Sequence, residues 1–321
     1  LSFSNLRHTA LTAAVLLFAG TGLFAADPQL LNMAPSDAQM FAGINVEQAK
    51  TSQFAQFLLA NMPVDAAFQE FIATTGFDPR TDLREVLIVT TGAPDVSVKQ
   101  SHSGIFLAKG TFNIPQILAA AGKDGKASVA AYAGAQLVTF SSGDHTQSLG
   151  LIDGSTAVAG DTAAVKAALD QRTKANAIPA AVMARINQLS TTEDAWSIST
   201  ANFGKLPIPG GSGGAGSAVL QSIQQASGGV KFGSVIQLDA QAVTGTNQDA
   251  SSLGDVVKLL AQMVQMHSSG NAVPGQITDL LKSLVVTTDQ NVVKVTLSLP
   301  EDQLESLFKM AESHVEAGDK I

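Results

Sequence analysis

Cysteine is absent from all 321 residues. With it go disulfides, thiolate metal sites, thiol nucleophiles and the lipid-bearing cysteine of a bacterial lipoprotein. Aromatic rings are few, with a single Trp (Trp196) and a single Tyr (Tyr132), and most of the 15 Phe fall on expected core faces. Glycan binding by ring stacking is therefore not suggested. Charge is scarce as well: Asp, Glu, Lys and Arg make up 14% of the chain. That excludes a highly charged disordered chain and a long helix laced with ion pairs. The formal charge is −8, and Arg7 is the lone Asp, Glu, Lys or Arg among the first 26 residues, so the remainder is more acidic still. No basic stripe is present, since Lys123, Lys126 and Lys174 are separated by acids or small residues. Nucleic acid and anionic membrane surfaces are disfavoured partners, whereas an apolar ligand is not.

What the chain has is 45% hydrophobic residues, ample for well-formed cores at this length. It also has a distinctive start. Arg7 and His8 precede an apolar run from Ala10 to Ala26, interrupted only by Thr12, Gly20, Thr21 and Gly22. The run ends in small residues just before Asp27 and Pro28. A charged start, an apolar middle and a small-residue exit are the order of a secretory signal, which predicts export and cleavage after Ala25 or Ala26. A soluble core helix would show a polar face that this segment lacks. No later segment approaches the ~20 apolar residues of a membrane span, so no stable transmembrane segment is expected after cleavage.

Beyond residue 26 the pattern alternates irregularly between strands and helices. Residues 40–46 read as a strand, and Phe54, Phe57, Leu58 and Met62 mark a helix. Phe68, Phe71 and Ile72 mark a second helix, which Gly76 ends as a C-cap would. Strands are expected over 86–91, 104–109, 128–132, 136–141, 148–153 and 156–160, with Asp153-Gly154 as hairpin chemistry. Helices are expected over 113–121, 161–169 (with Asp161 as N-cap) and 180–189. Further on come helices over 218–226, 253–267 and 276–284, strands over 231–243, 285–288 and 292–299, and a last helix opened by Pro300. Without regular strand–helix alternation, the fold class expected is α+β, built as two α+β lobes with mixed or antiparallel sheets. The expected division is a signal peptide over 1–26, an N-terminal lobe over 27–190 and a C-terminal lobe over 191–321. Asp37-Ala38 and Asn45 recur as Asp194-Ala195 and Asn202 at a constant offset of 157, which suggests an internal duplication.

Chemistry is harder to find. Gly211-Ser212-Gly213-Gly214-Ala215-Gly216 matches the dinucleotide pattern, with Asp239 at a fitting distance. Pro207 and Pro209 stand where a central parallel strand would have to lead in, so a flexible Gly/Ser loop is the better reading. The same missing strand weakens the serine-hydrolase elbow centred on Ser212, for which Asp239 or Asp255 and His267 or His314 would be the partners. His102, His145, His267 and His314 are isolated, without the spacing that puts two metal ligands on one helix face. Asp78 with Asp82, Asp153 with Asp161, and Glu301 with Asp302 read as turn and cap residues. No catalytic, cofactor-binding or metal set is assigned, and no cofactor is expected. The apolar faces around Phe57 and around Leu259, Leu260, Met263, Val264 and Met266 read first as core and second as the lining of an acyl-chain cavity.

Gly76-Phe77-Asp78-Pro79-Arg80-Thr81-Asp82-Leu83 followed by an apolar strand resembles an element of exported bacterial proteins of unknown function. The ending, with Leu284–Thr288, Asn291–Leu299 and a closing amphipathic helix, resembles the same group. The resemblance implies export and an α+β build, and no activity.

The expected function is a non-enzymatic exported protein that binds a protein partner or an apolar small molecule in a groove between the lobes. The alternatives are a secreted hydrolase with a fold-assembled site and a purely structural envelope protein. Replacing Ser212 with Ala separates the hydrolase: loss of a nucleophile abolishes turnover of a generic ester, whereas a loop residue leaves it unchanged.

Overall fold

The computed structural model of the chain describes residues 26–62, 64–92, 104–123, 125, 127–142, 145–203, 219–267 and 281–306. The expected signal segment, the Gly-rich stretch 210–216 with Ser212, most of the expected helix over 276–284, and His102 and His314 lie outside these residues.

Its scaffold is a 12-stranded antiparallel sheet in the order β11-β12-β10-β9-β8-β1-β2-β3-β7-β6-β5-β4. The strands are β1 (Met40–Asn45), β2 (Leu83–Thr90), β3 (Gly104–Gly110), β4 (Ala127–Tyr132), β5 (Ala135–Ser142), β6 (His145–Asp153), β7 (Thr156–Asp161), β8 (Ala195–Ser199), β9 (Ile223–Lys231), β10 (Val235–Thr244), β11 (Val285–Asp289) and β12 (Val292–Pro300). Helices sit among them: α1 (Pro28–Leu31), α2 (Val46–Ala49), α3 (Gln53–Asn61), α4 (Ala66–Thr75), α5 (Pro79–Asp82), α6 (Ile114–Lys123), α7 (Thr162–Gln171), α8 (Ala180–Thr192) and α9 (Asn247–His267). The chain is thus α+β, as its irregular alternation implied. Among the described residues no helix is long and apolar enough to cross a membrane.

The two halves do not close separate sheets. They meet at the centre, where β1 pairs antiparallel with β8 across the boundary expected near residue 190. Each half then follows the same path. From β1 the chain fills β2 and β3, crosses by α6 to the far edge, and returns through β4, β5, β6 and β7 so that β7 pairs with β3. From β8 it fills β9 and β10, crosses by α9 to the other edge, and returns through β11 and β12 so that β12 pairs with β10. The returning meander has four strands in one half and two in the other. Phe41 lies opposite Ile198 at the centre, 157 positions apart, the offset at which Asp37-Ala38 and Asn45 recur.

Strand alternation divides the core between the two faces of the sheet. On one face Phe41, Leu87, Leu107, Val158, Trp196 and Ile198 pack beneath α1, α7 and α8 through Leu30, Leu169 and Ile186. On the other, Phe54 and Leu58 of α3 cover Phe232 and Ile236, α6 covers Leu151 and Ala157 through Ile117, and α9 covers Val293 through Ala250 and Leu253.

Local signals hold where chain chemistry is decisive. Gly76 adopts φ 66° and its N–H donates to Ile72 O at 2.8 Å, closing α4. The hairpin at Asp153-Gly154 forms, with Asp153 Oδ1 accepting from Ser155 N–H at 2.7 Å. Asp161 occupies the N-cap of α7 without a side-chain hydrogen bond. The expected helix over 218–226 is corrected: residues 223–231 form β9, and the strand expected from 231 begins at Val235. The run Ile223–Lys231 has weak intrinsic preference, and pairing on both sides with β8 and β10 decides its state. Gly228 and Gly229 permit this, because a Cβ there would collide with the Asp239 backbone and the Glu193 side chain.

Two glycines give opposite expectations. A Cβ at Gly43 of β1 would overlap the Trp196 indole, so Gly43→Ala is expected to destabilise by about 1–3 kcal/mol. Gly122 in α6 has open space around it, so Gly122→Ala is expected to stabilise by about 0.5–1 kcal/mol. Urea unfolding of both variants checks the pair of signs.

Candidate functional site

Two places combine unusual chemistry with space. The first is a cavity at the sheet centre, about 10 Å³, lined by Ala26, Ile44, Asn45, Glu85, Ser190, Glu193, Asp194 and Trp196. That volume suits one water-sized group and no organic substrate. It arises because the end of β1, the middle of β2 and the exit of α8 converge there. Three acids converge with them.

Asp194, 2% exposed, is fully engaged. Its Oδ1 accepts from Gln48 Nε2 at 3.1 Å and its Oδ2 from the Phe232 N–H at 2.8 Å. Its backbone carbonyl accepts from Asn45 N–H and its own N–H donates to Val230 O, so it ties β1, β8 and β9 together. Glu193 is less well served. Thr192 Oγ1 donates to its Oε1 at 3.0 Å, while Oε2 is sealed from solvent with no hydrogen-bond partner among the described residues. Burial raises its carboxyl above the ordinary range, with Asp239 and Asp194 adding to the rise and Thr192 and Lys231 opposing it.

Glu85 lies in β2 opposite Asn45 of β1 and Lys109 of β3. Its Oε1 accepts the Asp27 N–H at 2.9 Å. Burial pushes its carboxyl up to about 7, against the opposing pull of that hydrogen bond and of Lys109. Lys109 itself is committed elsewhere, donating to Gln29 Oε1 and to Thr156 Oγ1 and pairing with Asp27 at 3.4 Å. Asp27 also caps α1 by accepting from Gln29 N–H at 2.7 Å. Glu85 therefore clamps the start of the strap that delivers Leu30, Leu31 and Met33 to the main core.

The second place is a groove of about 350 Å³ beside α9, lined by Lys258, Ala261, Gln262, Gln265, Leu281, Lys282, Leu284 and Val286. The leading half of α9 is anchored by Ala250 and Leu253, but Leu259, Met263 and Val264 farther along are 53, 42 and 40% exposed. Val285 on the edge strand β11 is also exposed. Its lining is half apolar, from Ala261, Leu281, Leu284 and Val286, and half polar, from Lys258, Gln262, Gln265 and Lys282.

The residues singled out from sequence separate. Phe57 stacks on Phe54 at 6.3 Å between ring centroids and packs against the cluster of Phe232 and Ile236, so its face is core. Met263 belongs to the exposed face of α9 instead. His145 is exposed at the start of β6, Asp239 is exposed on β10, and Asp255 is exposed on α9 within 4.0 Å of Lys258. Asp78 caps α5 and binds Arg80 at 2.8 Å, and Asp82 accepts the Asp78 N–H at 2.7 Å, which are the turn and cap roles read from sequence. Sequence reasoning missed Glu85, Glu193 and Asp194 as a group. The one available signal was Glu85 itself, an acid at the head of the apolar run Val86–Val89.

In the uncleaved chain the Glu85 carboxyl titrates near 7 when folded and near 4.5 when unfolded. The folded state therefore holds its proton more tightly, and stability falls as pH rises from about 4.5 to 7, by up to about 3 kcal/mol. Glu85→Gln retains an acceptor for Asp27 and carries no charge. Urea unfolding at pH 5 and pH 8 is expected to show the variant gaining about 1–3 kcal/mol over the parent at pH 8 only.

No family model matches the chain, and no curated protein does. Among solved structures the chain is similar to crystal form I of TP0453, with a TM-score of 0.45 and 8% identity, covering 89% of this chain and 98% of that one. A likeness of that degree assigns no function.

Proposed function

We propose that this is an exported, non-enzymatic binding protein whose α9 groove takes an amphipathic small molecule, an acyl chain with an anionic head. The observation that carries the reading is the groove of about 350 Å³ between α9 and β11, whose lining joins the apolar Ala261, Leu281, Leu284 and Val286 to Lys258 and Lys282. A concave surface that combines apolar side chains with a few charged ones suits an amphipathic ligand. Lys258, which lies 4.0 Å from Asp255, and Lys282 bring positive charge to the groove of an otherwise acidic protein, which favours a carboxylate or phosphate head.

Export is supported by the order of Arg7, the apolar run 10–26 and the small residues before Asp27. The central cavity supports no reaction at that place, because about 10 Å³ admits no substrate.

Titration with a fluorescent long-chain fatty acid tests the groove. Ala261→Trp, which fills it, is expected to weaken binding at least tenfold with little change in Tm, and Lys258→Glu with Lys282→Glu to weaken an anionic probe more than its methyl ester. Equal binding by the parent and Ala261→Trp overturns the reading.

A further inference from the structure

Ala26 lies on the wall of the central cavity, 5% exposed, and the next residue donates its backbone N–H to Glu85.

We infer that the central cavity is the seat of the chain's own α-amino group once residues 1–25 are removed, with the ammonium of Ala26 held by Glu85 and Glu193. The inference rests on the export reading of the first 26 residues and concerns a place distinct from the α9 groove. Hydrolysis of the Ala25–Ala26 bond consumes one water, leaves a carboxylate on Ala25 and an amine on Ala26, and that amine is protonated at neutral pH.

Three observations converge. Asp27 N lies 2.9 Å from Glu85 Oε1, and consecutive backbone nitrogens are about 3–3.7 Å apart, so the Ala26 nitrogen lies within about 7 Å of that carboxylate by covalent geometry alone. At that range, in a site shielded from water, opposite charges interact appreciably. Glu193 Oε2 is sealed from solvent and has no donor among the described residues, an arrangement that proteins generally avoid. The cavity of about 10 Å³ has room for a group the size of water, which is also the size of an ammonium head.

The remaining charges point the same way. Asp194 already has donors on both carboxylate oxygens, from Gln48 and Phe232. Lys109 is drawn to Asp27, Gln29 and Thr156. Lys231 donates to Thr192 O at 2.9 Å, and Arg185 donates to Ser227 and Gln188. The new terminus would bring to the two glutamates a cation that these side chains spend elsewhere. It would also fasten the strap of Leu30, Leu31, Met33 and Ala34 over the main core. Processing then completes the fold as well as releasing the chain.

The test uses a fusion whose removal leaves Ala26 first, compared with the same chain Nα-acetylated, in the parent and in Glu85→Gln with Glu193→Gln. The free-amine parent is expected to melt at least about 3 °C above its acetylated form at pH 7. That gap is expected to vanish in the double variant and to fade as pH rises past the amine's folded pKa. The parent's α-amine is also expected to react with an acylating reagent at least tenfold more slowly than in urea. Equal melting with and without the acetyl group overturns the inference, as does an equal acetylation gap in the double variant, which would mark a steric effect. Should the double variant not fold, an α-amine in the folded parent that reacts as fast as in urea overturns it alone. The intact mass of protein taken from its host's envelope tests processing separately: a start at Ala26 supports the inference, and a chain retaining residues 1–25 overturns it by removing the free amine, without touching the α9 groove.

Discussion

The pairing of β1 with β8 is the constraint on which the rest of the molecule depends. Those two short strands are the only link in the sheet order between the first-half and second-half strands. Their contact is close because Gly43 presents no side chain, so the Trp196 indole lies directly over the β1 backbone. Phe41 and Ile198 stand opposite each other on the same face and extend the apolar contact to α1, α7 and α8. Any side chain at position 43 pushes the indole out of the seam. The sheet's continuity therefore rests on an absent methyl as much as on the hydrogen bonds of the ladder.

Joining two sheets at their first strands has an electrostatic consequence. The turns and helix ends that enter and leave β1 and β8 crowd into one place, bringing Glu85, Glu193 and Asp194 around a single cavity. The three acids are treated differently. Asp194 has donors on both oxygens and functions as a cross-brace between β1, β8 and β9, whereas Glu193 retains a sealed oxygen without one among the described residues. Glu85 sits between, with one backbone donor and a carboxyl raised to about 7. Desolvation is the common cause, and the unequal supply of donors makes the difference. A buried acid that lacks a cation is costly, and Ala26 lies on the wall of the same cavity.

Away from the centre the two halves diverge. The first half returns through four strands, with α6 closed over Ile117, Leu151 and Ala157. The second returns through two, and α9 packs on that half of the sheet through Ala250 and Leu253. Farther along α9, Leu259, Met263 and Val264 are exposed, and the groove with Lys258 and Lys282 lies between α9 and β11.

The secondary structure was legible wherever one residue type has one dominant behaviour. Gly76 ends α4 because glycine alone takes a positive φ without strain, Asp153-Gly154 turns a hairpin, and Pro300 precedes a helical turn over 301–306. The α+β class followed from the irregular order of elements. Ile223–Lys231 was not legible, since its preferences are weak and its two neighbours in the sheet decide its state. Nor could the sequence join the halves through β1 and β8, gather Glu85 with Glu193 from more than a hundred positions away, or divide Phe57 from Met263. Those outcomes depend on which face each side chain buries and on what stands opposite. The chain by itself determined its turns, caps, charge balance and excluded chemistries, because these are properties of single residues and near neighbours. Tertiary structure alone decided the single continuous sheet, the acidic cavity and the open face of α9, because each arises from desolvation and packing between segments remote in sequence.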